Sequence, residues 1–349
     1  MLVFSRKNLA LMWVTLAALG PAGCAQAKLD PLSGGGLRSG SRVWPPPPDQ
    51  PRVRYLGSLT GSRDFGDVKS AGQFWRELVH GPEAPSLLAT PYAVAVSDDG
   101  DRVAVADANT GSVHLFDLAN KTYRSLGGGD DESTRLLGPI GVTWVDDQMW
   151  VADAKRGAIA RVSLDGTIAW FGGGQLERPA ALVWVKANQR CYVVDAAGHE
   201  VVAFGRGGGV DFRFGRRGGE VGAFNFPSHI AVGPDDTLVV ADSLNARVQR
   251  FALDGSPIGE FGRKGDAAGD LSLPKGVAVA ADRTIWVADA QFENLQAFTP
   301  EGQLLMHLGG EGKNPGQFWL PAGLCIDAKQ RLWVADSYNR RVQAFELLN

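Results

Sequence analysis

From residue 88 to the end of the chain, apolar runs of four to six residues, rich in Val, Ile, Leu, Phe and Trp, alternate with polar clusters such as Ser97-Asp98-Asp99-Gly100 and Leu253-Asp254-Gly255. Runs of that length bounded by Asp and Gly predict β-strands, and no 3.6-residue period runs through them to suggest helices. One unit recurs: a Pro, a short apolar strand, a turn, a second strand ending in Val-Ala-Asp or a variant, and a third ending in an aromatic or apolar residue. The second strands, each continued into its third, read VAVADANTGSVHLF, MWVADAKRGAIARV, CYVVDAAGHEVVAF, LVVADSLNARVQRF, IWVADAQFENLQAF and LWVADSYNRRVQAF.

The aspartates of these copies, Asp107, Asp153, Asp195, Asp242, Asp289 and Asp336, are spaced by 46, 42, 47, 47 and 47 residues. The opening prolines, Pro91, Pro139, Pro179, Pro227, Pro274 and Pro321, keep nearly the same step. A period of 40 to 50 residues with four strands per unit predicts an all-β, six-bladed propeller, in which each blade buries its faces against its neighbours. In blade five the strands read as Gly276 to Ala280, Thr284 to Ala288, Leu295 to Phe298 and Leu304 to Leu308. Blade six runs out after its third strand, Val342 to Leu347. Arg52 to Leu59 matches the outer-strand position seen at Ser256 to Phe261, so the N-terminal segment is expected to complete the last blade and remove an open edge.

Two segments break the period. Asp64 to Gly81 puts Phe74, Trp75, Leu78 and Val79 on one face of a helix, a short insertion between the closing strand and blade one. Leu29 to Gln50 is rich in Gly, Ser and Pro and ends in Pro45-Pro46-Pro47-Pro48, which predicts a Pro/Gly-rich tether over 25–50 whose last part is a stiff, extended polyproline spacer. The propeller then occupies 51–349, with the closing strand in 51–60, the insertion in 64–81 and the repeats in 88–348.

Composition and charge narrow the partners. The chain has 349 residues, 44% hydrophobic and 21% charged, which suits one large folded unit. Arg6 and Lys7 precede the apolar run Leu9 to Gly20, the pattern of a signal peptide over 1–24, too short to span a bilayer comfortably. Pro21-Ala22-Gly23-Cys24 reads as a lipoprotein-type box with Cys24 as the lipidation site; Ala25-Gln26-Ala27 is the competing cleavage site. The expected location is therefore the bacterial cell envelope, at the periplasmic or outer-membrane face, with the membrane contacted by the lipid anchor only. Without residues 1–24 the chain carries 33 basic and 38 acidic residues, a balance of −5. A nucleic-acid binder shows a basic excess or stripe, and none is visible, so no nucleic-acid partner is expected. Cys191 and Cys325 fall in blades three and six and are expected as free thiols, not a disulfide.

Phe261 to Val279, followed by Val-Ala-Asp and Leu-Gln-Ala-Phe, resembles the NHL repeat, as does Gly316 to Gly323 with Val334 to Gln343. The resemblance covers residues 88 to 348, strongest in blades four to six, and the layout is similar to exported bacterial NHL-repeat lipoproteins. It implies a fold and no particular chemistry, because propellers of this kind serve unrelated functions. The peptide-amidating lyase, which resembles this fold, implies His ligands around an axial zinc. Two residues after each opening Pro the present chain has Ala93, Gly141, Ala181, His229, Gly276 and Gly323. One His does not make a zinc site, which takes three or four converging ligands. Lactonase-type propellers imply a Glu/Asn/Asp set that the inner strands do not offer. The six aspartates, one per blade at the same place, point to a structural role: each accepts bonds from turn N–H groups or from a nearby Arg, as Asp242 from Arg247. Gly207-Gly208-Gly209 reads as a turn between outer strands, not a phosphate loop.

The expectation is thus a binding or assembly module for another envelope protein, a peptide or a glycan, with no cofactor, no metal site and no catalytic residue assigned. The alternative is a metal-dependent lyase or hydrolase with its site at the propeller axis. Loops that open the inner strands and turns that follow Val-Ala-Asp belong to one end of the meander, so they share a face. The ligand-binding residues expected there are Tyr92, His229 and Lys275 near the axis, and Lys155, Asn245, Phe292, Tyr338 and Arg340 further out.

Overall fold

The computed structural model describes residues 42–65, 86–129, 131 and 134–348. The expected signal peptide, Cys24, the tether as far as residue 41 and residues 66–81 of the expected helical insertion lie outside the described residues; Ser62–Phe65 is a 3-10 turn.

Two strands, β1 (Val43–Trp44) and β2 (Val53–Leu59), precede the repeats. Blade one holds β3 (Pro91–Val96), β4 (Arg102–Asp107), β5 (Ser112–Asp117) and β6 (Thr122–Leu126). Blade two holds β7 (Pro139–Val145), β8 (Gln148–Asp153), β9 (Ala158–Val162) and β10 (Ile168–Phe171). Blade three holds β11 (Pro179–Val185), β12 (Arg190–Asp195), β13 (Glu200–Gly205) and β14 (Val210–Phe214). Blade four holds β15 (Pro227–Val232), β16 (Leu238–Asp242), β17 (Arg247–Phe251) and β18 (Pro257–Phe261). Blade five holds β19 (Pro274–Val279), β20 (Ile285–Asp289), β21 (Asn294–Phe298) and β22 (Leu304–Leu308). Blade six holds β23 (Pro321–Ile326), β24 (Arg331–Asp336) and β25 (Arg341–Leu347), with β2 and β1 as its outer strands. All neighbours within a sheet are antiparallel, and the fold is the expected all-β, six-bladed propeller.

Burial explains the apolar pattern. Second strands such as Ile285–Asp289 are buried at every position, because neighbouring blades cover both faces. Outer strands such as Leu304–Leu308 alternate between half-buried and exposed positions, as a one-sided strand does. The core therefore lies between blades. Val94, Val103, Val105 and Phe116 of blade one, for example, pack with Trp333, Val342 and Ala344 of blade six.

The ring closes through β2, paired along its length with β25 from Val53↔Leu347 to Leu59↔Val342. One part of the expected tether belongs to the propeller instead. Val43 and Trp44 pair with Arg54 and Val53, and the Trp44 ring stands edge-on to Phe345 at 5.9 Å. Pro45–Pro48 lies in the connection that turns the chain back, so that the Arg52 N–H donates to the Trp44 carbonyl at 2.7 Å. Proline has no N–H to extend a ladder, so the run ends one strand and lets the next begin.

All six repeat aspartates are buried. Asp107 accepts from the N–H groups of Ala89, Thr90, Asn109 and Thr110. Asp153, Asp195 and Asp289 make the same kind of contact, with Leu137, Gly138 and Arg156, with Glu177, Arg178 and Gly198, and with Ser272, Leu273, Gln291 and Phe292. Each carboxylate ties the loop that opens its blade to the turn after its second strand. Asp242 adds the expected bond from Arg247 Nε at 2.8 Å.

Candidate functional site: the face of the inner-strand loops

Each opening Pro pairs with the Asp that ends the second strand, as Pro91 does with Asp107 and Pro274 with Asp289, so loop and turn meet at one end of every blade. Just after each Pro the register slips: the ladder resumes at Ala93, Gly141, Ala181, His229 and Gly276, and at Leu324 in blade six. The skipped residues are Tyr92, Ile140, Ala180, Ser228 and Lys275, with Ala322 and Gly323 in blade six. A bulge releases a side chain from the sheet and re-aims it, here towards the mouth of the ring.

At that mouth lies a basin of about 520 Å³, lined among others by Tyr92, Ile140, Lys155, Arg178, Lys275 and Tyr338. Leu273, Leu320 and several alanines complete its apolar surface. A cavity of this size suits a small ligand or a few residues of a chain. Lys275 Nζ lies 3.5 Å from Tyr92 Oη across the basin. Beyond it an axial channel of about 160 Å³ is lined by the inner strands, including His229, Gly141, Ala181 and Cys325.

Four of the eight residues expected from sequence, Tyr92, Lys155, Lys275 and Tyr338, come together around the basin. His229 lies in the channel, where its Nδ1 accepts from the Val277 N–H at 3.4 Å. Part of the ring faces the channel, yet the surrounding protein excludes bulk water and lowers its pKa to about 4. It is therefore a neutral imidazole at physiological pH.

Asn245, Phe292 and Arg340 line neither the basin nor the channel. The first two residues after a repeat Asp reach the basin in blades two and six, as Ala154, Lys155, Ser337 and Tyr338, and the first alone in blades one and five, as Ala108 and Ala290. The third turns back towards the Asp: Asn245 donates through Nδ2 to Asp242 and to the Gly218 carbonyl, and the Phe292 N–H donates to Asp289. The fourth is the left-handed corner of the turn, occupied by Gly111, Gly157, His199, Ala246, Glu293 and Arg340. Sequence reasoning also missed Ile140, Arg178, Leu273 and Leu320. The signal was present, since Arg178, Leu273 and Leu320 each precede an opening Pro, and Ile140 follows one.

Cys191 is fully enclosed and Cys325 half-buried, both free, and burial raises both thiol pKa values, that of Cys325 to about 12. Neither has thiolate character at neutral pH. Among the described residues no three His, Cys, Asp or Glu side chains gather into a group that holds a metal ion.

The family model of the NHL repeat matches residues 224–251 and 318–345. No curated protein matches the chain in sequence. Among solved structures, an auxiliary nutrient binding protein from Bacteroides thetaiotaomicron is similar at 11% identity and a TM-score of 0.59, over 74% of this chain and 69% of that one. A gluconolactonase from Xanthomonas campestris is similar at 18% identity and a TM-score of 0.56, over 75% and 89%. Virginiamycin B lyase from Staphylococcus aureus is similar at 15% identity and a TM-score of 0.54, over 74% and 96%. At these identities the likeness shows the fold alone, since one propeller frame carries binding proteins, lactonases and lyases.

Proposed function

The chain is a six-bladed β-propeller that carries NHL repeats, and from that premise we propose that it is an envelope-tethered binding module that captures a protein, peptide or glycan at the mouth of the ring. The observation that carries this reading is the basin of about 520 Å³, built by bulged inner-strand residues and lined by side chains that the blade itself does not require. At the first position after the opening Pro, Ala180 shows what a plain blade accepts; Tyr92 and Lys275 are additions. Similarity to a nutrient binding protein is compatible with capture. Export and anchoring through Cys24 belong to the same proposal and rest on the leader-like Leu9 to Gly20 run and the Pro21-Ala22-Gly23-Cys24 box. The Pro/Gly-rich segment then leaves the ring on a tether of about 20 residues.

The test is capture from a displayed random-peptide library and a glycan array, with the wild-type protein, Tyr92→Ser/Lys275→Ser, and Arg283→Asn on the far side of the ring. Ligands should be enriched by the wild type and Arg283→Asn and lost by the double variant. Ligands held equally by all three would show that this face is not the capturing surface.

A further inference from the structure

The mouth of the ring is built from four positions in every blade: the residues before and after the opening Pro, and the first and second after the repeat Asp. In chain order these are Thr90, Gly138, Arg178, Phe226, Leu273 and Leu320; then Tyr92, Ile140, Ala180, Ser228, Lys275 and Ala322; then Ala108, Ala154, Ala196, Ser243, Ala290 and Ser337; and last Asn109, Lys155, Ala197, Leu244, Gln291 and Tyr338. Not one is Asp or Glu, and three are basic, in a chain whose formal net charge is −3.

At the mouth end the six repeat aspartates lie buried beneath these positions, held by loop and turn N–H groups, and Glu293 accepts from the Leu320 N–H; acids at the opposite end have a local account as well. Asp99, Asp165, Asp254 and Asp282 each accept the N–H two residues on in a tight turn, from Asp101, Thr167, Ser256 and Thr284. No such local reason places bases at the mouth. Their counterparts in other blades are all uncharged: Thr, Gly, Phe and Leu for Arg178; Tyr, Ile, Ala and Ser for Lys275; Asn, Ala, Leu, Gln and Tyr for Lys155. Among the described residues, Lys155, Arg178 and Lys275 have no carboxylate in ion-pair range, whereas Lys186 and Lys329 at the other end are paired with Asp98 and Asp101.

We propose that the basin takes an acidic peptide segment, with an apolar side chain on the surface of Ile140, Leu273 and Leu320 and flanking carboxylates met by Lys155, Arg178 and Lys275. The proposal rests on the capturing face argued above and specifies what that face captures. Three unpaired cations around an apolar basin complement a ligand that is both anionic and apolar. A glycan is the poorer match: sugar hydroxyls need acceptors as well as donors, and no carboxylate or side-chain amide lines the basin. Tyr92 and Tyr338 supply rigid, amphipathic contact area with a hydroxyl at the tip.

The experiment is fluorescence anisotropy on the full chain, with fluorescein-labelled Asp-Asp-Leu-Phe-Asp-Glu and its neutral counterpart Asn-Asn-Leu-Phe-Asn-Gln, and unlabelled tetragalacturonate as competitor. The acidic peptide should bind roughly tenfold or more tightly than the neutral one, and the preference should shrink as salt rises. Lys275→Glu should lose the preference for the acidic peptide, and Arg283→Asn, a charge change at the other end, should keep it. Equal binding of acidic and neutral peptides, lost in Lys275→Glu, would overturn the anionic ligand and leave the capturing face standing. Binding of the acidic peptide that is unchanged in Lys275→Glu would overturn both. Competition by tetragalacturonate as effective as by unlabelled acidic peptide would transfer the site to acidic glycans and overturn the peptide. Absence of saturable binding of the acidic peptide would overturn the proposal as well.

Discussion

Blades four and six support their buried Asp differently from blades two and three. In blade four the second carboxylate oxygen of Asp242 accepts from Asn245, Arg247 and Gln249, and the Arg247 guanidinium fans out to the carbonyls of Gly219, Glu220 and Ala223. Blade six repeats the arrangement: Asn339, Arg341 and Gln343 hold Asp336, and Arg341 holds the carbonyls of Lys313, Asn314 and Gln317. In blades two and three the Arg position is Ala158 and Glu200, the Gln position is Ala160 and Val202, and the Asp meets backbone N–H groups instead. The difference follows the loop. Gly215 to Phe226 and Gly309 to Leu320 are long excursions whose carbonyls need donors, while Gly172 to Arg178 crosses directly between blades. The stretches matched by the NHL model, 224–251 and 318–345, each contain all four side chains of the clamp, the Asp, Asn, Arg and Gln, with the carbonyls that the Arg holds just upstream. The clamp is thus what sets these two repeats apart, while the blade itself needs only the Asp and the apolar strands.

Removing the carboxylate separates the two kinds of blade most widely. Asp242→Ala should cost about 3–5 kcal/mol, because the buried Arg247 keeps only the partly exposed Glu260 as counter-charge and Asn245 and Gln249 lose their shared acceptor, whereas Asp153→Ala should cost about 2–3 kcal/mol for orphaned backbone donors. Equal losses in denaturant unfolding would abolish the distinction. Exchange at the Gln position comes next. Gln249→Leu should lose about 1–2 kcal/mol by orphaning the Gly222 N–H and removing one of the two donors to the Ala223 carbonyl, and Val202→Gln should also destabilise, by about 1–3 kcal/mol, since blade three offers the amide no loop to hold.

Blade one adds a titratable version of the same position. His114 stands where blades four to six have Gln, buried, with Nε2 against Thr110 Oγ1 at 3.0 Å and Nδ1 against Tyr123 Oη at 2.6 Å. Burial lowers its pKa from the usual 6.5, and nearby Asp107 offsets only part of that. Below about pH 6.5 the unfolded chain binds a proton there that the folded one resists, so stability falls as the pH falls. His114→Gln should flatten that fall relative to the wild type in urea midpoints taken between about pH 7.5 and 5. A parallel pH dependence in the two proteins would clear His114 of the effect. The smallest effect belongs to Arg216→Ala: it breaks an exposed ion pair with Glu220 on the clamped loop, and no measurable change in melting temperature is expected.

The repeat was legible because burial of both faces of the second strand imposes an unbroken apolar run ending in a polar anchor, and the step of 42 to 47 residues survives any choice of surface residue. The closing strand was legible for the same reason. Val43–Trp44 was not: a two-residue strand has no period, and four prolines after it read as a spacer until the chain is seen to fold back. Of the site, Tyr92, Lys155, Lys275 and Tyr338 could be placed because they sit one residue after a Pro or two after an Asp. Asn245, Phe292 and Arg340 lie outside the basin because a turn changes its facing with each residue, and Asn245 is held by the clamp. Arg178 and Leu320 went unseen because their signal, a place just before an opening Pro, does not say which way the corner of the loop opens; the bulge just after the Pro does.

The pairing of β2 with β25 also sets a schedule. Arg54 and Glu346, which form an ion pair across that seam, are 292 positions apart, so the first strand made waits for almost the last one before it finds its partner. Blades one to five can assemble from contacts within and between neighbours, but the final seam demands closure of nearly the whole chain as one loop, the kind of contact that slows folding most. Until then the outer edge of blade six, with Phe345 and the Val342 ladder groups, stands uncovered, and a second molecule's Val53–Leu59 could fill it as readily as its own. Dilution during refolding should therefore favour the closed monomer, and crowded refolding should favour strand-exchanged chains of rings.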